Sequence, residues 1–326
     1  MNQKFMDFMR AFYGKKMAVA VSGGVDSVAL LHWLVEIGAD IVCLHVNHGL
    51  RAAADTESEY VRDLCKKLNV PCEIFYWTGD KPDSGLEAAA RAARYKMMTD
   101  FCNENGIEYL LTAHQADDQI ETFLMNLGRG SGVFGLAAMR AVAERDGVKI
   151  VRPLLNISRE ELQSYCDARG IKYFTDEMNS DNHYTRVRIR QNRHLLRDKL
   201  GISDDRILLA IENLGRVRDA VDTDVDNLVA DVMGDGFAMF RDSFLFDLAG
   251  DIRLKFIGTL IQKIGGDDYQ PRLNSLQLAL NNLHRNCKFT LGHCTVRRLG
   301  ERILIVPEGA KTTFRKRHGK NKQIKK

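Results

Sequence analysis

Apolar runs and helical patterns alternate strictly along the first half of the chain, and this limits the possible folds more than any other feature. Met17–Val21, Ile41–Val46, Cys72–Trp77 and Tyr109–Ala113 are near-continuous apolar runs of strand length. Between them, Ser27–Ile37, Asp55–Leu68, Gly85–Asn105 and Asp117–Leu127 place apolar residues at helical spacing. Strands that are apolar throughout, rather than at every second residue, are buried on both faces. The pattern therefore predicts an α/β fold, a doubly wound and mostly parallel sheet with helices on each side. Val148–Leu155 could add a further strand and Ser158–Arg169 a helix, with Ser158 and Glu161 at the spacing of a capping box.

The pattern changes near Gly201. Ile202–Met233 reads as one bent helix or a helix pair, followed by helical stretches at Asp251–Ile264 and Arg272–Leu283. Cys287–Leu291, Thr295–Arg298 and Ile303–Val306 are short strand candidates with glycine turns. The expected organisation is an α/β domain over 1–200, a helical region with a small strand-containing C-terminal domain over 201–310, and a basic tail over 311–326. That tail carries eight Lys or Arg and no acid, against a net charge of +4 for the whole chain, so the remainder is net acidic. A tail of this kind is either a solvated end or an arm for a polyanion such as nucleic acid.

Seven cysteines, an odd number, are widely scattered without a Cys-x-x-Cys pair. The spacing speaks against a disulfide framework, a zinc ribbon or an iron–sulfur cluster and suggests buried, reduced thiols. The apolar runs fall well short of a membrane span, and no charged-then-apolar leader opens the chain, so a cytoplasmic location is expected. A homodimer is left open.

The loop Ser22-Gly-Gly-Val-Asp-Ser27 joins the first predicted strand to the first predicted helix. Backbone N–H groups at a helix start lack partners, and glycines let them approach a ligand closely. With the helix dipole and two hydroxyls, such a loop suits a polyphosphate, although a plain tight turn is the alternative on glycine content alone. It lacks the Gly-Lys-Ser/Thr of a Walker A loop. A lone carboxylate in a phosphate cradle suggests a bridging cation, and Mg²⁺ is usually held by one or two carboxylates together with phosphates. Gly130-Ser-Gly-Val-Phe-Gly135 matches a dinucleotide-binding fingerprint by letter, but it follows a helix rather than a strand and is set aside.

Three further segments carry chemistry. His45-Val-Asn-His-Gly-Leu-Arg51 ends the second strand. Glu87, Arg91 and Arg94 share one helical face, as either an ion-pair ladder or a phosphate-facing set. Thr112-Ala-His-Gln-Ala-Asp-Asp-Gln-Ile-Glu-Thr122 closes the fourth strand and opens a helix, where acids are also ordinary dipole partners. Thr185–Arg197 holds five arginines and no acid, the composition of a solvated basic helix or of a contact to RNA phosphates.

The Ser-Gly-Gly-x-Asp-Ser signature resembles the pyrophosphate-binding loop of the N-type ATP pyrophosphatases, which cleave ATP between its α and β phosphates and adenylate a substrate oxygen. With the segments above, Arg129–Met139, Arg152–Leu155 and Asp176–Arg190, it resembles the tRNA(Ile)-lysidine synthetase family over roughly 17–200. The resemblance implies ATP as co-substrate, with Ser22, Gly23, Gly24, Val25 and Ser27 at the pyrophosphate and Asp26 on Mg²⁺. It implies transfer of L-lysine to C2 of the wobble cytidine in the CAU anticodon of tRNA(Ile), with release of AMP and pyrophosphate. Asp26, His114, Asp117, Asp118 and Glu121 are the catalytic candidates. Arg91 and Arg94 are expected at the ATP phosphates, and Arg186, Arg188, Arg190 and Arg193 on the RNA. The lysine amine must lose a proton, which a carboxylate or His114 could accept, and the residues do not rank Asp117, Asp118 and Glu121. The family usually has a second histidine where this chain has Gln115, which cannot carry a proton at neutral pH. Alternatives are a 2-thiocytidine-type enzyme, which would call for clustered cysteines, or a nucleotide-sensing RNA-binding protein without catalysis. GMP synthetase and asparagine synthetase share the loop but need an ammonia source.

Overall fold

The computed structural model describes residues 2–50, 54–79, 81–82, 84–174, 185–267, 270–285 and 287–310. The basic tail, Arg51 and the segment from Asp176 to Tyr184 lie outside them. The described residues form two compact units that divide between Arg218 and Asp219. The break falls inside one helix, later in the chain than the change of pattern near Gly201, which itself closes a short helix in the left-handed conformation.

In the first unit the elements run α1 (Gln3–Met9), β1 (Met17–Ala20), α2 (Val25–Glu36), β2 (Ile41–Asn47), α3 (Ala54–Lys67), β3 (Cys72–Tyr76), α4 (Leu86–Glu104) and β4 (Tyr109–Leu111). They continue with α5 (Ala116–Gly128), α6 (Val133–Leu136), β5 (Val142–Arg145), β6 (Val148–Val151), α7 (Arg159–Ala168), α8 (Thr185–Asn192), α9 (His194–Leu200) and the start of α10 (Asp204–Val232). The sheet order is β3-β2-β1-β4-β6-β5, parallel except for the edge strand β5. Apolar clusters cover both faces. One gathers Phe5, Met9, Val19, Leu30, Trp33 and Leu162, and the other Ala18, Leu44, Met98, Leu110 and Ile150. Neighbouring residues of one strand, such as Ala18 and Val19, thus serve opposite faces, which is why these strands read as continuous apolar runs.

The expected elements form with small shifts at their ends. The stretch 202–233, read as a bent helix or a pair, forms the single helix α10 over Asp204–Val232, and its Ile207 and Ile211 join Ile120 of α5 in a small apolar cluster. The capping box at α7 is half present: Ser158 Oγ accepts the Glu161 N–H (3.2 Å), while the Glu161 carboxylate accepts from Asn2 Nδ2 (2.7 Å) instead. Strand β5 was not foreseen. It returns onto β6 through Asp146 and Gly147, both at positive φ (50° and 77°), the geometry of a type I′ hairpin turn.

The second unit holds β7 (Ala238–Arg241), α11 (Asp242–Asp247), α12 (Gly250–Gly265), α13 (Leu273–His284), β8 (Phe289–Leu291), β9 (Cys294–Leu299) and β10 (Arg302–Pro307). Its strands form an antiparallel sheet in the order β7-β10-β9-β8. Phe256, Ile257, Leu260 and Ile261 of α12 are buried in the core of this unit with Val296, Ile303 and Ile305 from the strands. No helix among the described residues is long and apolar enough to cross a membrane.

Candidate active site

Strand order reverses between β1 and β4, since connections leave β1 toward β2 and β3 on one side and β4 toward β6 on the other. At such a reversal the loops beyond the carboxyl ends of two adjacent strands diverge and leave a crevice for ligand. Two of the candidate segments of the sequence lie there. Ser22–Ser27 follows β1, and Thr112–Gln115 follows β4.

The first loop is held in shape by its own hydroxyls. Ser27 Oγ, buried, donates to the Gly24 carbonyl (2.9 Å) and accepts from the Ser22 N–H (3.1 Å), and the two serine oxygens lie 3.2 Å apart. Gly23 adopts φ +90°, which a side chain would strain, and its carbonyl accepts from the Phe174 N–H (2.9 Å). Gly24 is the N-cap of α2, and no side chain caps that helix. The first amides of α2 therefore keep their capacity to bind an anion.

Asp26 stands in the first turn of α2. Its Oδ1 is buried without a hydrogen-bond partner, and burial pushes the carboxyl up to about 6, with Asp117 and Asp118 adding to the rise and Arg159 and Arg190 opposing it. An orphaned carboxylate oxygen beside an open phosphate cradle fits a hard cation with oxygen ligands.

The second loop is more committed than its sequence suggests. Gln115, almost fully buried, takes the N-cap of α5. Its side chain accepts the Asp117 N–H (2.5 Å), and Asp118 Oδ2 accepts the Gln115 N–H (3.1 Å), a reciprocal capping box. Gln115 thus acts as a cap, a role needing no proton exchange. Asp117 Oδ2 accepts the Arg159 N–H at the start of α7 (2.9 Å), and its other oxygen is paired with Arg193. Glu121 is fully buried. It receives Arg190 in a fork (2.7 and 3.2 Å) and Arg186 Nε at 3.1 Å.

Of the four arginines expected on RNA, the structure therefore brings three to acids: Arg186 and Arg190 to Glu121, and Arg193 to Asp117 and Asp204. Arg188 is exposed, and its guanidinium touches only Thr185 Oγ1 (3.1 Å) among the described residues. We expect Arg188→Glu to weaken tRNA binding and lower its salt slope by about one to two. Its stability should change by no more than about 0.5 kcal/mol. Filter binding at several salt concentrations, beside chemical denaturation, would check this.

Arg91 and Arg94 lie over the Tyr95 ring (5.0 and 5.7 Å), joined there by Arg145 (4.6 Å). Neither Arg91 nor Arg94 pairs with Glu87 or another carboxylate among the described residues, so the ion-pair ladder does not form there. Burial lowers Arg94 from the ordinary arginine range, a cost that a phosphate would relieve. His114 Nδ1 is 3.0 Å from Thr112 Oγ1. Burial first, and then Arg152, Arg91, Arg94 and Arg186, bring its pKa down to about 3. His114 is accordingly neutral at physiological pH, a hydrogen-bonding group rather than a strong base.

The sign of the resulting pH effect is fixed. Unfolded His114 takes up a proton below about 6.5 while folded His114 does not until about 3. Its contribution to stability is whole above the upper value and is lost as pH falls through that window. His114→Asn should flatten the acid limb of a stability-versus-pH curve. In the intact chain the His114 imidazole signal should stay in its neutral form well below pH 6.5. Titration by nitrogen-15 NMR would reveal an ordinary pKa if this reading is wrong.

His45, also singled out in the sequence, is buried. Its Nδ1 meets the Val21 carbonyl (2.8 Å) and its Nε2 Ser58 Oγ (3.0 Å), so it fastens α3 to the residue before the phosphate loop.

The family model of the PP-loop domain matches residues 1–195. The chain is similar to a curated tRNA(Ile)-lysidine synthase of Wolbachia pipientis wMel, 36% identical over 92% of this chain and 72% of the relative. A tRNA(Ile)-lysidine synthase of Ruegeria pomeroyi is 35% identical over 94% of this chain and 78% of its own length. Among solved structures, the U34-tRNA thiolase of Methanococcus maripaludis shares the fold, with a TM-score of 0.56 at 20% identity over 66% of this chain and 78% of that one.

Proposed function

The chain belongs to the PP-loop family and, within it, to the tRNA(Ile)-lysidine synthase family, and from that premise we propose an ATP-dependent, AMP-forming ligase. It joins L-lysine to C2 of the wobble cytidine in the CAU anticodon of tRNA(Ile). The observation that carries this reading is the meeting, at one strand-order reversal, of an uncapped phosphate loop with Asp26 and with a neutral histidine ringed by arginines.

The chemistry begins from a poor leaving group. The O2 of cytosine cannot be displaced by an amine, but its adenylated form leaves as AMP. In the first step, O2 attacks the α phosphate and pyrophosphate departs. The first amides of α2 and the hydroxyl of Ser22 receive the charge that builds on the departing oxygens, while the Ser27 hydroxyl, bonded to the Gly24 carbonyl and the Ser22 N–H, holds the loop in shape. Asp26 is the residue that would hold Mg²⁺, which supplies further charge stabilisation at the phosphoryl oxygens. Arg91 and Arg94 offset the phosphate charge, and His114, neutral, donates a hydrogen bond to the adenylated centre.

In the second step the ε-amine of lysine attacks C2. The group that binds the cationic amine favours its protonated form, so binding and deprotonation call for different carboxylates. Glu121 and Asp117 are already engaged by arginines, whereas Asp118 is held only through Oδ2, by the Gln115 N–H, among the described residues. Asp118 is our choice for the base, and Glu121, with its charge shared by two arginines, for orienting the amine.

Purified chain, CAU-anticodon tRNA, ATP and labelled lysine should give lysine-bearing tRNA with AMP and pyrophosphate in equal amounts. Formation of ADP would overturn the proposal. Transfer from a sulfur donor but not from lysine would favour the 2-thiocytidine reading, and nucleotide binding without AMP release would favour a sensor.

A further inference from the structure

Cys43, Cys65 and Cys72 belong to three different elements, and their spacing matches no metal-ligand pattern. The fold gathers them. Cys43 on β2 and Cys72 on β3 are direct partners in the parallel register, and α3 packs against both strands, bringing Cys65 to the pair. Cys43 and Cys65 are fully buried and Cys72 is partly exposed. Their three Sγ atoms all lie within 4.8 Å of one another.

A buried cysteine is ordinarily a small apolar filler. Cys102 and Cys166 are such fillers here, each buried and outside any such cluster among the described residues. Packing alone does not require three thiols to converge on one point. Bonds of about 2.3 Å to a trigonal ion separate its sulfurs by about 4 Å, so closure of under about an ångström would place all three in a first coordination sphere. Sulfur-only donors in an apolar setting select soft ions over Mg²⁺ or Ca²⁺. The partial exposure of Cys72 gives an ion a way in.

We propose that Cys43, Cys65 and Cys72 form a binding site for one thiophilic closed-shell ion, Zn(II) or Cu(I), which ties α3 to β2 and β3. Metal–sulfur bonds form, and each thiol that ligates loses its proton to solvent, with no change of oxidation state. The site shares its seam with His45, two residues along the same face of β2, which holds Ser58 of α3 and the Val21 carbonyl. A bound ion would stiffen the support beneath the phosphate loop without touching it.

The test uses the full-length reduced chain under argon, with Zn(II) alone and Cu(I) alone, each in competition with a chromogenic chelator. One equivalent should be retained and should protect the chain against thermal unfolding. The ion that resists more chelator identifies the native preference. Co(II) substitution should produce a thiolate-to-metal charge-transfer band. Cys72→Ser and Cys65→Ser should each weaken retention at least about tenfold, while Cys287→Ser, at an exposed cysteine, should leave it unchanged. Circular dichroism of the metal-free variants separates lost ligation from lost folding, and the charge-transfer band of the unmutated chain gives an answer even if a variant fails to fold. Failure of both ions to compete, or retention indifferent to Cys65 and Cys72, would overturn the site. So would loss of the free thiols to a disulfide under the same conditions.

Discussion

Asp26→Asn should lower AMP formation by about 10³-fold, the equivalent of roughly 4 kcal/mol of transition-state stabilisation, while leaving tRNA affinity nearly unchanged. The substitution keeps the shape of the side chain and removes only its capacity to hold a cation. It should also stabilise the ligand-free chain at neutral pH, and this second outcome makes the first informative. Folded Asp26 titrates at about 6 against an ordinary 3.8, so the fold retains the proton more tightly than the unfolded chain does. Its stability contribution is fully present below the lower value and is lost as pH rises through the upper one. At pH 7 the charged, buried carboxylate costs the fold on the order of 1–3 kcal/mol, which asparagine would relieve. A gain in stability together with a collapse in turnover marks a group kept for chemistry rather than for folding. Denaturation curves at pH 7 and pH 4 should differ between the two proteins at the higher pH and converge at the lower. Substantial AMP formation by the variant would mean that Asp26 has been misassigned.

The parallel sheet was legible because a strand buried on both faces must be largely apolar, as Met17–Ala20 is throughout and Ile41–Asn47 is apart from His45 and Asn47. The phosphate loop was legible because its local chemistry is complete within six residues. Strand β5 was missed although Asp146-Gly147 is a strong hairpin signal, since Val142–Arg145 pairs only at the sheet edge and carries little apolar character. Which arginines pair with acids was not legible at all. The composition of Thr185–Arg197 says that the segment is basic, but the acids that claim Arg186, Arg190 and Arg193 lie on other helices. The cysteines show the same limit, because no spacing rule anticipates a meeting created by strand register and helix packing. Gln115 is the reverse case: its place before Asp117 and Asp118 was read as a departure, and its capping role follows from its being the residue at which α5 begins.

Glu121→Ala is expected to cost about 2–4 kcal/mol of stability, the range for removing one partner of a buried ion pair, reduced because Arg186 and Arg190 are partly exposed (45% and 32%). Two arginines held around a fully buried carboxylate would be left facing each other across the space it occupied. In a unit of this size the midpoint of thermal unfolding should fall by about 5–15 °C. Such a loss would by itself lower activity, so Glu121→Ala alone cannot separate folding from catalysis. The double variant Glu121→Leu with Arg190→Met can. It replaces charge by apolar groups of similar volume, which at buried ion pairs is often neutral or stabilising, and should recover most of the lost stability. If Glu121 orients the lysine amine, the double variant stays deficient: adenylation of the tRNA, with release of pyrophosphate, proceeds while lysine transfer and the AMP release that goes with it fall by at least about 10²-fold. Thermal denaturation and separate assays of adenylate formation and lysine incorporation would resolve the two steps. Recovery of lysine transfer along with stability would reduce Glu121 to a structural anchor for α8 and leave Asp117 and Asp118 as the carboxylates available to the amine.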